Sequence, residues 1–280
     1  MIGIIGGTGL YNLEGLTNLE AVSASTPYGQ PSGEVKVGML SGKKVAFLPR
    51  HGAGHSLLPS EINFRANIWA LKSVGVTRVV SVSATGSLEK EIKPGDLAIP
   101  DQYVDWTQGT RKNTFFGEGL VAHISTAEPA CKRLTETILQ AGRTLNIKVH
   151  SKKTYVCVEG PRLGTRAESL MFQANKCHLV GMTNVPEVFL AREAQICYST
   201  IAIATDYDCW LEDATQHVSV EKVFALYKEN LERVIKLVQE TIKNEKDEDC
   251  TCRHALTGAV VSPENTLKED QKKILAMLSK

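Results

Sequence analysis

The sequence predicts an α/β domain built around a largely parallel or mixed sheet. Short apolar segments rich in β-branched residues recur along the 280 residues, and amphipathic segments with an apolar spacing of three and four separate several of them. Apolar residues make up 42% of the chain and charged residues 22%, which is typical of a globular protein with a sizeable core. We find no internal repeat or low-complexity linker. One domain over residues 1–280, with a C-terminal extension over about 250–280, is therefore the simplest organisation.

The predicted strands are apolar runs that end in glycine or in polar residues. In chain order they read IGIIGG, KVAFLP, RVVSVSA, LAIPDQYV, TYVCVEG, HLVGM and YSTIAIATD. The predicted helices have a period of three to four, and they cover 60–75, 128–146, 186–197 and 219–244. The first has a capping-box-like start between Ser60 and Asn63, and the last has Ser219 as its candidate N-cap. The charged stretch 243–249 then separates the last helix from the extension.

Composition excludes several classes of protein. Lys and Arg total 32 and Asp and Glu total 31, so the net charge is +1 and neither a nucleic acid nor a membrane surface is the expected partner. No apolar run approaches the roughly 20 residues of a membrane span. The N-terminus lacks the pattern of a signal peptide, and we expect a cytoplasmic protein.

The seven cysteines are odd in number, and most lie within apolar stretches, which suits reduced, buried thiols. Cys250 and Cys252, in EDCTCRH, are the exception. A zinc site needs about four ligands, and no second cysteine pair with suitable spacing accompanies them, although His254 is close. Ordinary surface thiols, a redox-labile pair or disulfide, and a weak metal site all remain open, and the expectation is that the protein holds no metal.

The ends of the predicted strands carry most of the reactive side chains. Ligands of such sheets bind at the carboxyl ends of the strands. Small hydroxyls, an arginine, a histidine and two carboxylates converge there if the prediction is right. The segments are 6–9, 50–52, 83–87, 159–162, 182–183 and 205–208.

The first of these segments is a glycine-rich turn in MIGIIGGTGL. A dinucleotide-binding loop needs a third glycine where Asn12 stands, and a P-loop needs a Gly-Lys-Ser/Thr that does not follow. What remains is a turn with backbone N–H groups and the Thr8 hydroxyl, which suits one phosphate or another small anion. A tight structural turn without a ligand explains the same residues.

Charged residues follow two other strands. Arg50 and His51 come directly after one strand, and a guanidinium is suited to bidentate phosphate binding, although an ion pair is the ordinary role of such an arginine. Asp206 and Asp208 follow the last apolar strand. If the extended backbone continues, both side chains point the same way, and one carboxyl can hold a proton near neutral pH. Capping of the following turn is the alternative role for these aspartates.

These motifs together resemble the purine nucleoside phosphorylase family. The resemblance runs from about residue 2 to about 242 and rests on IIGGTGL, RHG, NFRANIWALK, GSLEKEIKPGDLAIPDQYVD, EGPR…RAES and GMTNVPEVFLAREAQICYSTIAIATDYDCW. It implies a single three-layer α/β/α domain with a mixed, partly barrel-like central sheet that assembles as a homotrimer or homohexamer. It also implies cleavage of a purine nucleoside by inorganic phosphate, a co-substrate, with no metal or organic cofactor.

The resemblance also implies roles for individual residues. Those matching the phosphate site are Thr8, Arg50, His51, Ser83, Ala84 and Thr183. Met182 matches a residue beside the ribose, and His123 matches a histidine near the 5' end of the sugar. Thr205, Asp206 and Asp208 match the base-recognition segment, whose aspartates are the candidate catalytic residues. Leu163 and Gly164 stand where the family often has an aromatic residue followed by Ser or Glu.

Two features favour one nucleoside over the others. Val220 and Val223 match apolar positions beside a 5'-methylthio group, where a buried hydroxyl would lack a partner. Carboxylates accept hydrogen bonds from the 6-amino group of adenine and repel a 6-oxo group. The expected reaction is therefore phosphorolysis of S-methyl-5'-thioadenosine to adenine and 5-methylthioribose 1-phosphate. The alternatives are a phosphorylase of methylthioinosine or inosine, a nucleosidase that uses water, and a non-catalytic purine-binding protein on the same fold.

Overall fold

The computed structural model describes residues 1–7, 15–213 and 219–280, apart from the side chain of Lys222. In this part of the chain, nine strands form one sheet. They are β1 (Ile2–Gly6), β2 (Thr17–Val22), β3 (Val35–Leu40), β4 (Lys43–Pro49), β5 (Arg78–Ser87), β6 (Leu97–Trp106), β7 (Val149–Val158), β8 (Leu179–Gly181) and β9 (Cys197–Asp206).

The sheet is mixed, and one half of it closes on itself. The strand order is β2-β3-β4-β1-β5-β8-β7-β6-β9, and β5 pairs in addition with β9. That last pairing is parallel and runs from Arg78 opposite Cys197 to Gly86 opposite Asp206. The ring of β5, β8, β7, β6 and β9 is thus a small barrel, and β1 to β4 extend it as an open sheet. The predicted fold class, with its partly barrel-like sheet, is confirmed.

Helices cover both faces of the sheet. In the described residues they are α1 (Phe64–Ser73), α2 (Lys132–Thr144), α3 (Arg166–Ala174), α4 (Asn184–Glu193), α5 (Val220–Asn244) and α6 (Glu269–Leu278). Apolar side chains of α1 and α4 pack in one buried cluster, whereas those of α2 and α5 pack in another. Strand β1 shows why the layers form, because its fully buried Ile5 joins the first cluster and the alternating Ile2 and Ile4 join the second.

Local chemistry sets where the helices begin. The first predicted helix is capped by Asn63 and not by Ser60, because the Asn63 Oδ1 accepts a hydrogen bond from the backbone N–H of Ala66 at 3.1 Å. The residues before it, Pro59–Glu61, form a short 3₁₀ turn, so the α-helix begins later than the expected residue 60. The long helix predicted over 219–244 is observed as α5, Val220–Asn244.

Four elements were not predicted from the sequence. Strand β2 lies at the open edge and is almost entirely exposed, so it has no apolar alternation to detect. Strand β3 and helix α3 were not predicted, and neither was α6. The C-terminal extension nevertheless contributes to the core, because Leu256 and Leu278 belong to the cluster formed by α1 and α4. Among residues 1–7, 15–213 and 219–280, no helix combines the length and apolar character needed to cross a bilayer.

Candidate active site

A cavity of about 270 Å³ lies at the carboxyl ends of the strands. It is lined by residues from the ends of β1, β4, β5, β8 and β9, and by one face of α5. Twelve of the residues expected at the site line this cavity together. They are Arg50, His51, Ser83, Ala84, Leu163, Met182, Thr183, Thr205, Asp206, Asp208, Val220 and Val223.

The guanidinium of Arg50 is only 1% exposed and is held by a carboxylate on α4. Its Nε donates to Glu187 Oε2 at 2.8 Å, and Nη2 donates to Glu187 Oε1 at 2.9 Å. Two more bonds run to Ser81 Oγ at 2.5 Å and to the Val82 carbonyl at 2.9 Å. Four of its five N–H groups therefore have acceptors among the described residues, and one on Nη1 remains for a ligand.

Arg50 thus forms an ion pair with Glu187 and also lines the cavity. Glu187 is fully buried, and its Oε1 also accepts hydrogen bonds from Ser81 Oγ at 3.0 Å and from Tyr198 Oη at 2.7 Å. Burial opposes the charge of Arg50, but Glu187 outweighs it and holds the pKa of the guanidinium above its ordinary value. The pair is formally neutral, so what it offers to an anion is a set of fixed N–H and O–H donors more than a net charge.

His51 is neutral at physiological pH. Burial, together with the nearby charge of Arg50, lowers its pKa to about 4. Its Nδ1 lies 3.0 Å from the carbonyl oxygen of Leu57, which can only accept, so Nδ1 carries the proton. The other ring nitrogen, Nε2, is then an acceptor. Its partner in a phosphate ion would have to be the protonated oxygen of that ion.

Two hydroxyl groups that line the cavity lie close to each other. Ser83 Oγ on β5 and Thr183 Oγ1, which follows β8, are 3.0 Å apart and buried. Gly181 makes room for the Tyr155 side chain behind Thr183, because a Cβ at Gly181 would lie 2.1 Å from the hydroxyl oxygen of Tyr155. That same oxygen accepts a hydrogen bond from the Thr183 backbone N–H at 3.4 Å. The Tyr155 hydroxyl therefore helps to fix the backbone of Thr183.

Asp206 at the end of β9 is a carboxyl of the cavity whose pKa is raised towards neutral pH. Its side chain is 6% exposed, and burial raises its pKa to about 6, with a smaller contribution from the charge of Asp208. Its Oδ1 accepts the backbone N–H of Asp208 at 2.7 Å, and its Oδ2 accepts the Thr205 hydroxyl at 2.7 Å. These two bonds favour the ionised form but do not offset the burial.

Asp208 reaches the same cavity by a turn and not by an extended strand. Strand β9 ends at Asp206, and Asp208 has a φ of 51°, so the expectation that strand alternation aligns the two carboxylates is wrong. The Asp206 side chain caps the turn by accepting the Asp208 N–H, and Ser169 Oγ on α3 donates to Asp208 Oδ2 at 2.6 Å. Gly86 leaves the space, since a Cβ there would lie 3.1 Å from Asp206 Oδ1 and 3.2 Å from Asp208 Cβ.

The opposite wall of the cavity is largely apolar. One face of α5 lines the cavity with residues at the i, i+3, i+4 and i+7 positions of the helix, namely Val220, Val223, Phe224 and Tyr227. Val220 is 55% exposed and therefore stands at the rim.

Two expected residues are not brought to this cavity by the described chain. Thr8 lies outside the described residues, although the preceding Gly7 lines the cavity. His123 is exposed and is not among the lining residues, because its segment pairs with the C-terminal extension. Its backbone N–H donates to the Ala259 carbonyl at 2.9 Å, and Ala122 forms a bridge with Val260.

Several residues of the site were missed by the sequence analysis. Glu187 and Ser169 hold Arg50 and Asp208, and Arg111 donates to the carbonyl oxygens of Met182 and Val185, both at 2.7 Å. Their contacts span long sequence distances, so no local spacing could reveal them. Phe224 and Tyr227 were detectable, because they continue the i, i+3, i+4 and i+7 pattern that starts at Val220.

The site and the fold together define a phosphorylase, and comparison with known proteins agrees. The family profile described as "Phosphorylase superfamily" matches residues 1–240. The chain belongs to this family. Its similarity to individual members covers the C-terminal extension as well.

Three similar proteins illustrate the relationship. S-methyl-5'-thioadenosine phosphorylase of Geobacter sulfurreducens is 45% identical over 279 residues, which is 99% of this chain and 97% of the relative. A methylthioadenosine phosphorylase crystal structure from an Antarctic soil metagenome has a TM-score of 0.93 at 44% identity, with 99% and 98% of the two chains covered. A variant of the Schistosoma mansoni adenosine/methylthioadenosine phosphorylase, in complex with methylthioadenosine, has a TM-score of 0.85 at 36% identity, with 95% and 99% covered.

The buried ion pair makes a prediction about stability. Glu187→Gln leaves the shape unchanged but removes the counter-charge of a buried guanidinium, and we expect it to lower the free energy of unfolding by about 3 kcal/mol. Urea denaturation followed by circular dichroism measures this. Glu232→Gln, which removes the exposed partner of Lys236 on α5, is the control and should change nothing measurable. Equal stability of the Glu187 variant and the wild type would contradict the assigned role of the pair.

Proposed function

We propose that the protein catalyses phosphorolysis of S-methyl-5'-thioadenosine, giving adenine and 5-methylthioribose 1-phosphate. The observation that carries this is the placement of Asp206, with a pKa of about 6, in the same cavity as the donors around Arg50 and beneath the apolar face of α5. The names of the relatives agree with the assignment. The reaction is a pentosyl transfer to phosphate.

In the proposed reaction, Asp206 is the acid that assists the leaving base. The bond from C1' of the sugar to N9 of adenine breaks, and its electron pair passes into the purine. A proton given to N7 by Asp206 neutralises that charge. Placing the proton on Oδ2 preserves the hydrogen bonding, because the Thr205 hydroxyl can donate to the Thr85 carbonyl at 3.2 Å instead. Asp208, held by Ser169, is positioned to accept a hydrogen bond from the 6-amino group.

In the same scheme, phosphate forms the new bond to C1' on the opposite face of the sugar. We assign its binding to the free N–H of Arg50, the hydroxyls of Ser83 and Thr183, the backbone at Ala84 and the Thr8 turn. The neutral His51 would accept a hydrogen bond at Nε2 from the protonated oxygen of a hydrogenphosphate ion. These groups are fixed before the substrate binds, so positioning supplies much of the catalysis.

We assign the specificity to the two ends of the nucleoside. Val220 and Val223 would contact the methylthio group, and Met182 the ribose. Leu163 would lie against the base in the place of an aromatic ring. A 6-oxo purine would place a carbonyl oxygen beside the carboxylates, which disfavours inosine and methylthioinosine.

The proposed assembly is a homo-oligomer, a trimer or hexamer, with small-molecule substrates as its other partners. The support is His123, which the family resemblance places near the sugar and which lies outside the cavity of its own chain. If His123 enters the cavity of a neighbouring copy, its family role near the sugar agrees with its position outside the cavity of its own chain. We place the reaction in the cytoplasm, where the seven cysteines, all free thiols in this structure, would remain reduced. The reaction as written needs no organic cofactor.

The proposed function is tested by measuring base release from four nucleosides, each with and without phosphate. We expect adenine release from S-methyl-5'-thioadenosine, dependent on phosphate, and much slower reaction of adenosine, methylthioinosine and inosine. Faster release of hypoxanthine from methylthioinosine would overturn the roles of Asp206 and Asp208. Release of adenine at the same rate without phosphate would make the protein a hydrolase.

Asp206→Asn should lower kcat by at least about 100-fold, the usual contribution of a positioned general acid. The wild-type kcat/KM should fall as pH rises through about 6, because the protonated acid is then lost, and this limb should vanish in the variant. Phosphate titrates in the same range in both proteins, so only the difference between the profiles reports Asp206. The exposed Asp270→Asn is the control, and near-normal turnover of the Asp206 variant would contradict the acid role.

Val220→His offers a donor and an acceptor where the apolar wall begins. We expect it to raise the ratio of kcat/KM for adenosine over that for S-methyl-5'-thioadenosine, since the 5'-hydroxyl gains a partner. Val261→His, on an exposed residue far along the chain, is the matched control. An unchanged ratio would mean that α5 does not contact the 5' substituent.

A further inference from the structure

Four cysteine side chains from three separate parts of the chain meet away from the active-site cavity. Cys131 precedes α2, Cys197 begins β9, and Cys250 and Cys252 lie in the extension after α5. Their four Sγ atoms all lie within 4.8 Å of one another. Cys250 and Cys252 thus lie beside a second pair of thiols, which the spacing of cysteines in the sequence did not reveal.

The arrangement matches the ligand shell of a tetrahedral metal ion. In a tetrathiolate zinc site with Zn–S bonds of about 2.3 Å, the sulfur atoms lie about 3.8 Å apart. The Sγ atoms of Cys131 and Cys250 are 3.5 Å apart, and all four cysteines are free thiols in this structure. Four thiolates select zinc over magnesium or calcium, which prefer oxygen ligands.

The surroundings suit a closed, structural ion. Cys131, Cys197 and Cys252 are at most 3% exposed, whereas Cys250 is half-buried and provides the path of entry. Four thiolates and one zinc ion carry a charge of −2. The N-terminus of α2 opposes this charge, because the Leu134 N–H donates to Cys131 Sγ at 3.4 Å. The nearby Arg133 guanidinium also opposes it, through its electrostatic interaction with Cys131 and Cys197.

We propose that Cys131, Cys197, Cys250 and Cys252 bind one structural Zn²⁺ ion. Four thiols each release one proton as four Zn–S bonds form, and no electron is transferred. All four positions are filled by protein, so the ion takes no part in the nucleoside reaction. It would tie the C-terminal extension to the start of β9, the strand that ends at Asp206.

The test begins with the metal content of the whole protein. The protein is produced in medium with added zinc, purified with a phosphine reductant and without chelators, and analysed by inductively coupled plasma mass spectrometry. We expect about one zinc ion per chain. Replacement by Co²⁺ should give the visible absorption of tetrahedral cobalt–thiolate coordination, which adventitious binding to carboxylates or histidines does not give.

Variants connect the metal to these four side chains. Cys252→Ser should lose most of the zinc and lower the melting temperature. Cys250→Ser, at the half-buried position, is the second variant in case the first does not fold. Cys177→Ser, which replaces a buried thiol outside the cluster, should keep the zinc.

Two outcomes would overturn the proposal. The first is wild-type protein with no more zinc than the Cys252 variant. The second is peptide mapping under non-reducing conditions that finds disulfides among these four cysteines in protein isolated without oxidants. Neither outcome bears on the proposed function, because the nucleoside assay does not depend on the ion.

Discussion

The buried carboxylate of Glu187 is the contact on which the arrangement of the cavity around Arg50 depends. It holds Arg50 after β4, Ser81 on β5 and Tyr198 on β9, and so it ties three strands of the sheet to α4. Without this acceptor a fully buried guanidinium would have no counter-charge in a low-dielectric environment. A formally neutral ion pair of this kind can still bind an anion, because the donors around it are already oriented and require little reorganisation.

Burial controls the other half of the cavity in the opposite direction. In the described part of the chain, the carboxyl of Asp206 has hydrogen-bond donors but no cation beside it, and burial raises its pKa to about 6. At one end of the cavity a buried charge is paired with a counter-charge, and at the other end burial raises the pKa of a carboxyl that has no such partner. The two are brought together by the pairing of β5 with β9, which closes the barrel and places Gly86 opposite Asp206.

Sequence reasoning reached the strand-end residues because apolar runs followed by Arg50, Ser83 or Asp206 are local patterns. It missed Glu187, because a glutamate on a helix carries no local sign that it is buried. Closure of the barrel was likewise available only from the family resemblance, since the β5–β9 pairing joins distant segments. The same limit applies to the thiol cluster, whose members Cys131 and Cys250 are separated by 119 residues. For Asp208 the local prediction failed, because a left-handed turn replaced the expected extended backbone.

The most direct measurement is a crystal structure of the protein with phosphate and S-methyl-5'-thioadenosine bound in an inactive Asp206→Asn variant. We predict that the anion contacts Arg50, Ser83 and Thr183, that residues 206 and 208 face the base at N7 and the 6-amino group, and that the methylthio group contacts Val220 and Val223. Phosphate bound elsewhere, or a base turned with its N7 edge away from β9, would contradict the account.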